Sequence, residues 1–250
     1  MSVLTRADHL RSDRTPFVVA TVVRAERPTS AKPGDRALVL PDGSLEGFVG
    51  GTCAESTVRT HGLRLLRTGE STLLRITPSA ATETVTDGLV TVGNPCLSGG
   101  SLDIFLEAVL PPLLVHVAGD APVARALFEV GQALGHQVEP AGDPPPDLAA
   151  LIVASHGRDE EPALLKALHA GIPYIGLVAS RRRGQAVLAA LDVTDEQRAR
   201  VHTPAGLDIG ARTPPEIALS IYAELVSLRP VAADPSTMDE ADHCCSGSMA

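Results

Sequence analysis

Between Leu113 and Arg229, three short apolar runs, LLVHVAG, ALIVAS and YIGLVAS, alternate with helix-patterned stretches such as PVARALFEVGQALG and EPALLKALHAG. Runs that are apolar at nearly every position fill strands buried on both faces, and the helices between them supply the covers. The pattern predicts a Rossmann-like parallel sheet. It adds a short strand at HQVEP, a helix after Arg183 and a last helix opened by Thr213-Pro214-Pro215-Glu216. That opening joins a capping box to prolines placed where a missing amide costs nothing.

Residues 17–110 have another rhythm. PFVVATVVRAE, RALVLPDG, STLLRITP, GLVTVGN and SLDIFLEAVL read as strands, with Asp42-Gly43 as a hairpin turn, around one helix running to about Thr68 and stopped by Gly69. The fold class is therefore α/β: a mixed α+β domain over 17–110, then a Rossmann-like domain over 113–229, parted at Pro111-Pro112. Residues 1–16 read as a lead and 230–250 as a flexible, cysteine-containing tail.

A formal charge of −9, with 2% aromatic residues and no tryptophan, leaves neither a basic footprint nor stacking platforms, so nucleic acid is excluded as a partner. The first residues lack an apolar signal region, and no apolar run reaches the length of a membrane span; a cytoplasmic location is expected. Four cysteines, Cys53, Cys96, Cys244 and Cys245, are too few and too uneven for a secreted disulfide framework. They read as structural, redox or ligand thiols.

Two loops place a cysteine beside paired glycines. In FVGGTCAE, Gly50 and Gly51 precede Thr52 and Cys53, and Glu55 completes a capping box with Thr52. Cys53 then sits in a first helical turn, where a thiolate and a bound anion are both favoured. In NPCLSGG, Cys96 and Ser98 lead into Gly99 and Gly100. The two loops fit one shared pocket, and fit equally two unrelated turns with buried thiols. Lys32 and Arg36 add cations near a turn suited to phosphate.

In the second half, Gly119-Asp120-Ala121-Pro122-Val123-Ala124 takes the place of a dinucleotide fingerprint but reads G-x-A-x-x-A. Ala121 crowds the pyrophosphate, Pro122 removes an amide and Asp120 adds a negative charge, so weak or no NAD(P) binding is expected. Glu139 stands where a ribose partner would. His156 and Asp159, after ALIVAS, are a candidate acid-base or orienting pair, and Arg181 in Ser180-Arg181-Arg182-Arg183 brings a cation to the same sheet edge.

GGTCAE, NPCLSGG, the G-x-A-x-x-A turn, YIGLVASRRR and TPAGLDIGARTPPEIALSIYAELV, in that order, resemble the XdhC/CoxI family of molybdenum-enzyme accessory proteins, from about Phe17 to Arg229. The resemblance implies a chaperone that binds the molybdenum cofactor, as molybdopterin or its cytosine dinucleotide, and protects it. It also implies support for sulfuration and delivery to an apo-enzyme of the xanthine or carbon monoxide dehydrogenase type. Partners would be that enzyme's large subunit, a cysteine desulfurase or a cytidylyltransferase; a homodimer is expected. Cys53 and Cys96 then become candidate ligands for molybdenum or for sulfur in transit. The chain departs from the family at Ala121, at Ala179, and at Arg27-Pro28-Thr29-Ser30, where the family has Gly-Ser-x-Pro. Two other chemistries remain compatible with the residues: an NAD(P)-dependent oxidoreductase, and a thiol-based metal or sulfur carrier using His243, Cys244 and Cys245 of the tail as soft ligands.

Overall fold

A computed structural model describes residues 2–93 and 99–228. Two compact units divide them, one running to Pro111 and the other starting at Pro112.

The first unit contains α1 (Val3–Ser12), β1 (Phe17–Glu26), β2 (Arg36–Val39), β3 (Leu45–Gly47), α2 (Thr52–Thr68), β4 (Ser71–Thr77), β5 (Thr84–Thr86), β6 (Leu89–Gly93) and β7 (Ser101–Val109). Its strands form one mixed sheet in the order β3-β2-β1-β7-β4-β6-β5. Only β4 and β6 pair in parallel. Alternation along the strands turns Val18, Ala20 and Val22 of β1, with Ile104 and Leu106 of β7, to one face. There α2 covers them with Ala54, Val58 and Leu65, a stripe at helical spacing. Gly69 ends that helix in the left-handed conformation, φ +74°, its amide bonded to the Leu65 carbonyl. The lead also carries structure: Ser2 caps α1, and Ala7 and Leu10 pack on Phe17, Leu38 and Leu40.

The second unit contains β8 (Leu114–Ala118), α3 (Pro122–Ala133), β9 (Gln137–Pro140), β10 (Leu148–Val153), α4 (Glu160–Ala170), β11 (Tyr174–Leu177), α5 (Arg181–Ala190), α6 (Asp195–Ala199), β12 (Val201–His202) and α7 (Pro214–Ser227). All five strands are parallel, in the order β12-β11-β10-β8-β9. This is the expected Rossmann-like sheet. Helices α3 and α7 bury Val115, Val117, Ala150 and Ile152, while α4 and α5 bury Leu148, Leu151, Val153 and Leu177 on the other face. The Tyr222 hydroxyl of α7 donates to the Leu127 carbonyl of α3 at 2.8 Å, locking the first pair.

Chain direction across the sheet reverses between β8 and β10, and open sheets of this kind bind ligands outside the strand ends at that point. The crossover from β9 to β10 carries no helix; residues 141–147, AGDPPPD, make it alone. At the start of α7 the Glu216 carboxylate accepts from the Thr213 and Arg212 amides at 2.9 and 2.8 Å, as the capping box required. Ser180 caps α5, so the arginine run opens a helix one turn earlier than its sequence suggested.

Candidate functional site

In the first unit, the chain leaves β3 and turns through Gly50, φ +135°, where a Cβ would lie 3.1 Å from that of Ala54 and 3.3 Å from Leu102. Gly51 follows in an extended conformation and is itself the cap: the first amide bonded within α2 is that of Glu55, to the Gly51 carbonyl. The expected capping box is therefore corrected. Thr52 is already helical, Glu55 falls one position beyond the one that reaches back, and no side chain covers the first-turn amides from the cap position. A Cβ on Gly51 would meet nothing within 4 Å.

That open face belongs to a cavity of about 770 Å³ lined by Gly51, Thr52, Cys53 and Ala54, by Arg27 to Ser30, by Gly100, and by Ile76 and Leu102. Cys53 is half-buried there. The second glycine loop reaches this cavity through Gly100, where a Cβ would stand 2.2 Å from the Pro28 carbonyl oxygen and 2.9 Å from that of Glu26. Only glycine allows the two loops to touch. Gly99, at φ +73°, does not line the cavity, and Cys96 and Ser98 lie outside the described residues, as do His243, Cys244 and Cys245. Among the described residues, no three His, Cys, Asp or Glu side chains gather as a metal site.

Lys32 and Arg36 are not part of this cavity. Lys32 sits in a turn whose amide donates to Asp35, and Arg36 opens β2 with an exposed side chain. The cation on the wall is Arg27, to which the sequence reading gave no role. Its signal was positional: it directly follows β1, in the loop that must meet a glycine. Among the described residues that line it, none is acidic.

The second unit builds its strand-end loops from a close approach of the same kind. Gly119, φ +119°, directly follows β8, and a Cβ there would be 2.4 Å from the Ala154 carbonyl oxygen. Ala121 caps α3 and is 6% exposed, with Pro122 in the first turn. After β10, His156, Gly157 and Asp159 all hold positive φ, and Glu160 gathers that segment. Its carboxylate, 5% exposed, accepts from the Gly157 amide at 2.8 Å, from Ser155 at 3.4 Å and from Arg183. Burial pushes this carboxyl up, but Arg183 and the Gly157 amide outweigh it and hold it below its ordinary range.

His156 and Asp159 do not form a pair. They line different cavities of about 730 Å³: Asp159 with Gly119, Asp120 and Arg158, and His156 with Arg181, Arg183 and the 204–211 segment. Glu139 is not at a strand-end cavity either; Gln137 donates to it at 2.6 Å, and His116 lies 3.8 Å away. Every Arg and Lys lining the two cavities is engaged by an acid: Arg158 by Asp120, Lys166 by Asp143, Arg181 by Asp208 and Arg183 by Glu160. Glu224, also without a role in the sequence reading, fixes the 204–211 segment. It accepts from the Tyr174 hydroxyl at 2.6 Å and the Gly206 amide at 2.8 Å, and meets His202 at 3.1 Å. Burial raises the Glu224 carboxyl, yet these partners bring it below its usual value, while burial and the carboxylate push the Tyr174 phenol up.

Residues 10–77 match the model of the XdhC and CoxI family, and residues 115–225 match that of the XdhC Rossmann domain. The chain belongs to the XdhC/CoxI family. The uncharacterized protein YqeB of Escherichia coli (strain K12) is 29% identical over 262 residues, covering 92% of this chain. The chain spans only 46% of the length of YqeB. A solved chain described as a xanthine dehydrogenase from Bacillus halodurans is 17% identical, covering 94% of this chain and 98% of its own, at a TM-score of 0.42. No helix among the described residues is long and apolar enough to cross a membrane.

Proposed function

We propose that this XdhC/CoxI protein is an accessory factor of a molybdenum enzyme, and that its first-unit cavity holds the molybdenum cofactor on the way to an apo-enzyme of the xanthine or carbon monoxide dehydrogenase type. The observation that carries this reading is a cavity with no carboxylate among the described residues that line it, opening on the first turn of α2 and walled by Arg27 and Cys53. Such a site suits an anion that also bears a soft centre. When bound, the cofactor supplies a phosphate, a pterin and a thiophilic metal. The amide end of α2 and Arg27 would hold the phosphate, the Thr29 and Ser30 hydroxyls the pterin edge, and the Cys53 thiol the metal or a transferable sulfur. A cysteine desulfurase would supply that sulfur, and a cytidylyltransferase the dinucleotide form. Cys96 is proposed as a second thiol for the same role. NAD(P) has no part in this reading, since Pro122 supplies no amide to a pyrophosphate.

Purification of the full chain from molybdenum-replete cells, followed by assay of bound molybdenum and of oxidised, fluorescent pterin, tests the proposal. Near one cofactor per chain is expected, with retention in Cys53→Ala at least ~10-fold lower and its melting temperature within a few degrees of the parent. Equal retention by parent and variant removes the thiol from the site.

A further inference from the structure

The sheet of the first unit ends in two edges, β3 and β5, and they are finished differently. At β3 the helix α1 holds the strand: the Arg6 guanidinium donates to the Glu46 carboxylate at 3.0 and 3.2 Å, and Gly47, at φ +119°, has Val3 3.1 Å from the place of its missing Cβ. An edge gripped and turned in this way is a poor template for a further strand. β5 has neither protection. Thr84, Val85 and Thr86 are β-branched and exposed, with no lysine, proline or glycine among them, and among the described residues no strand pairs with their outer side. Such an edge invites main-chain pairing.

Val85 is 55% exposed, yet its partner across the hairpin is Val90, which is buried in the core that α2 covers. Paired residues share a face, so a strand added beside β5 would set a side chain against Val85 and extend that core. Charge then decides what the strand can be. Glu83 and Asp87 flank β5, both exposed. Arg64 of α2 reaches Glu83 at 3.4 Å in a half-exposed pair, and no ion pair among the described residues engages Asp87. A second copy pairing antiparallel about Val85 would bring each Glu83 against an Asp87, and like charges facing across a ladder repel. The chain's own residues 229–250 are no better suited, since they hold Asp234, Asp239, Glu240 and Asp242 against Arg229 alone. With a formal charge of −9 on the whole chain, the complement has to come from another molecule.

We infer that β5 docks an extended, basic segment of another protein as an added strand, with an apolar β-branched residue beside Val85 and a lysine or arginine toward Glu83 and Asp87. Main-chain bonds would hold the segment and the flanking charge would select it. The inference uses no cavity, so it and the cofactor reading can fail separately. Amide-resolved NMR titration of the full chain with acetyl-TKTVTKT-amide tests it, beside the acidic acetyl-TETVTET-amide and the proline-broken acetyl-TKTPTKT-amide. The basic peptide should bind with Kd below about 1 mM and shift the amides of β5 and its flanks, and the other two should bind at least ~10-fold more weakly. Val85→Asp adds attraction for the peptide's charge but removes the apolar contact and disfavours a strand, so it should weaken binding ~10-fold or more where simple charge attraction would strengthen it. Its melting temperature should stay within a few degrees of the parent's, the position being exposed. If that variant does not fold, the peptide comparison and the location of the shifted amides decide. No binding by the basic peptide, equal binding by either control, shifts centred elsewhere, or unchanged affinity in the folded variant overturns the inference. So does a parent dimer in light scattering that Val85→Asp abolishes, or binding that appears only after residues 229–250 are removed, since each gives the edge to the chain itself.

Discussion

The glycine-loop cavity of the first unit and the strand-end cavities of the second are shaped by similar means and charged by opposite ones. Each unit has a glycine whose missing Cβ lets two loops touch, Gly100 against Pro28 and Gly119 against Ala154. Each has a helix whose cap residue, Gly51 or Ala121, offers no side-chain bond. In the first, Arg27 stands on a wall with no carboxylate among the described residues. In the second, every lining Arg and Lys already holds an acid. Position at the end of a strand thus does not settle what a site accepts. The count of uncommitted charges bears on it as well, and under the proposed function it favours the first-unit cavity over the Rossmann-like unit, where fold analogy would put an anion.

The harshest way to break the comparison is through its glycines. Gly100→Val and Gly119→Val should each cost about 3 kcal/mol or more in urea unfolding, since a side chain would drive into backbone oxygen. Gly51→Ala sharpens the contrast: its φ of −76° suits any residue and its Cβ meets nothing, so stability should hold while the new methyl lowers cofactor retention. Next comes Glu160→Leu, which strands the partly exposed Arg183 and should cost about 2 kcal/mol.

The same carboxylate sets a pH dependence. Its folded-state value lies below the ordinary 4.5, so its stabilisation is complete above about pH 4.5 and drains away as pH falls through the lower value. Acid titration of Glu160→Gln should show a shallower fall below pH 4.5 than the parent. Arg27→Ala should weaken phosphate or pyrophosphate binding to the full chain by ~10-fold, read by calorimetry, and leave unfolding within about 0.5 kcal/mol. The smallest effect is expected of Arg158→Ala. Its pair with Asp120 is largely exposed, and urea unfolding should shift by less than about 0.5 kcal/mol.

The strands of the second unit were legible because Leu114–Ala118, Leu148–Val153 and Tyr174–Leu177 are buried on both faces and so are apolar throughout. Helix α2 was legible from its stripe and from Gly69, but its start was not: a threonine followed three residues later by glutamate fits a cap at either position, and Gly50 decides by turning the chain. Helix α1 escaped notice because it buries only Ala7 and Leu10, too narrow a stripe to read as periodicity. β5 escaped because all three of its residues are exposed. Of the site, Gly51, Thr52, Cys53 and Gly100 were named from sequence. Arg27 was named only as part of a loop that departs from the family, with no role of its own, since its place on the wall depends on a β1–β7 register that no local pattern encodes. His156 and Asp159 were joined wrongly for a related reason: adjacency in the chain says nothing about which side of a left-handed turn each residue faces.

That register also sets a timetable. Glu26 of β1 faces Ser101 of β7, so the wall carrying Arg27 and the wall carrying Gly100 meet only across the full length of the first unit. A chain emerging from the ribosome exposes Arg27 and Cys53 early and completes the cavity only after β7 has been made and has paired with β1. Closing so long a loop is slow compared with forming α2, which needs only near neighbours. A nascent chain would therefore have its thiol in place before it has a cavity to shelter it, and the cavity exists only once the first unit has finished folding.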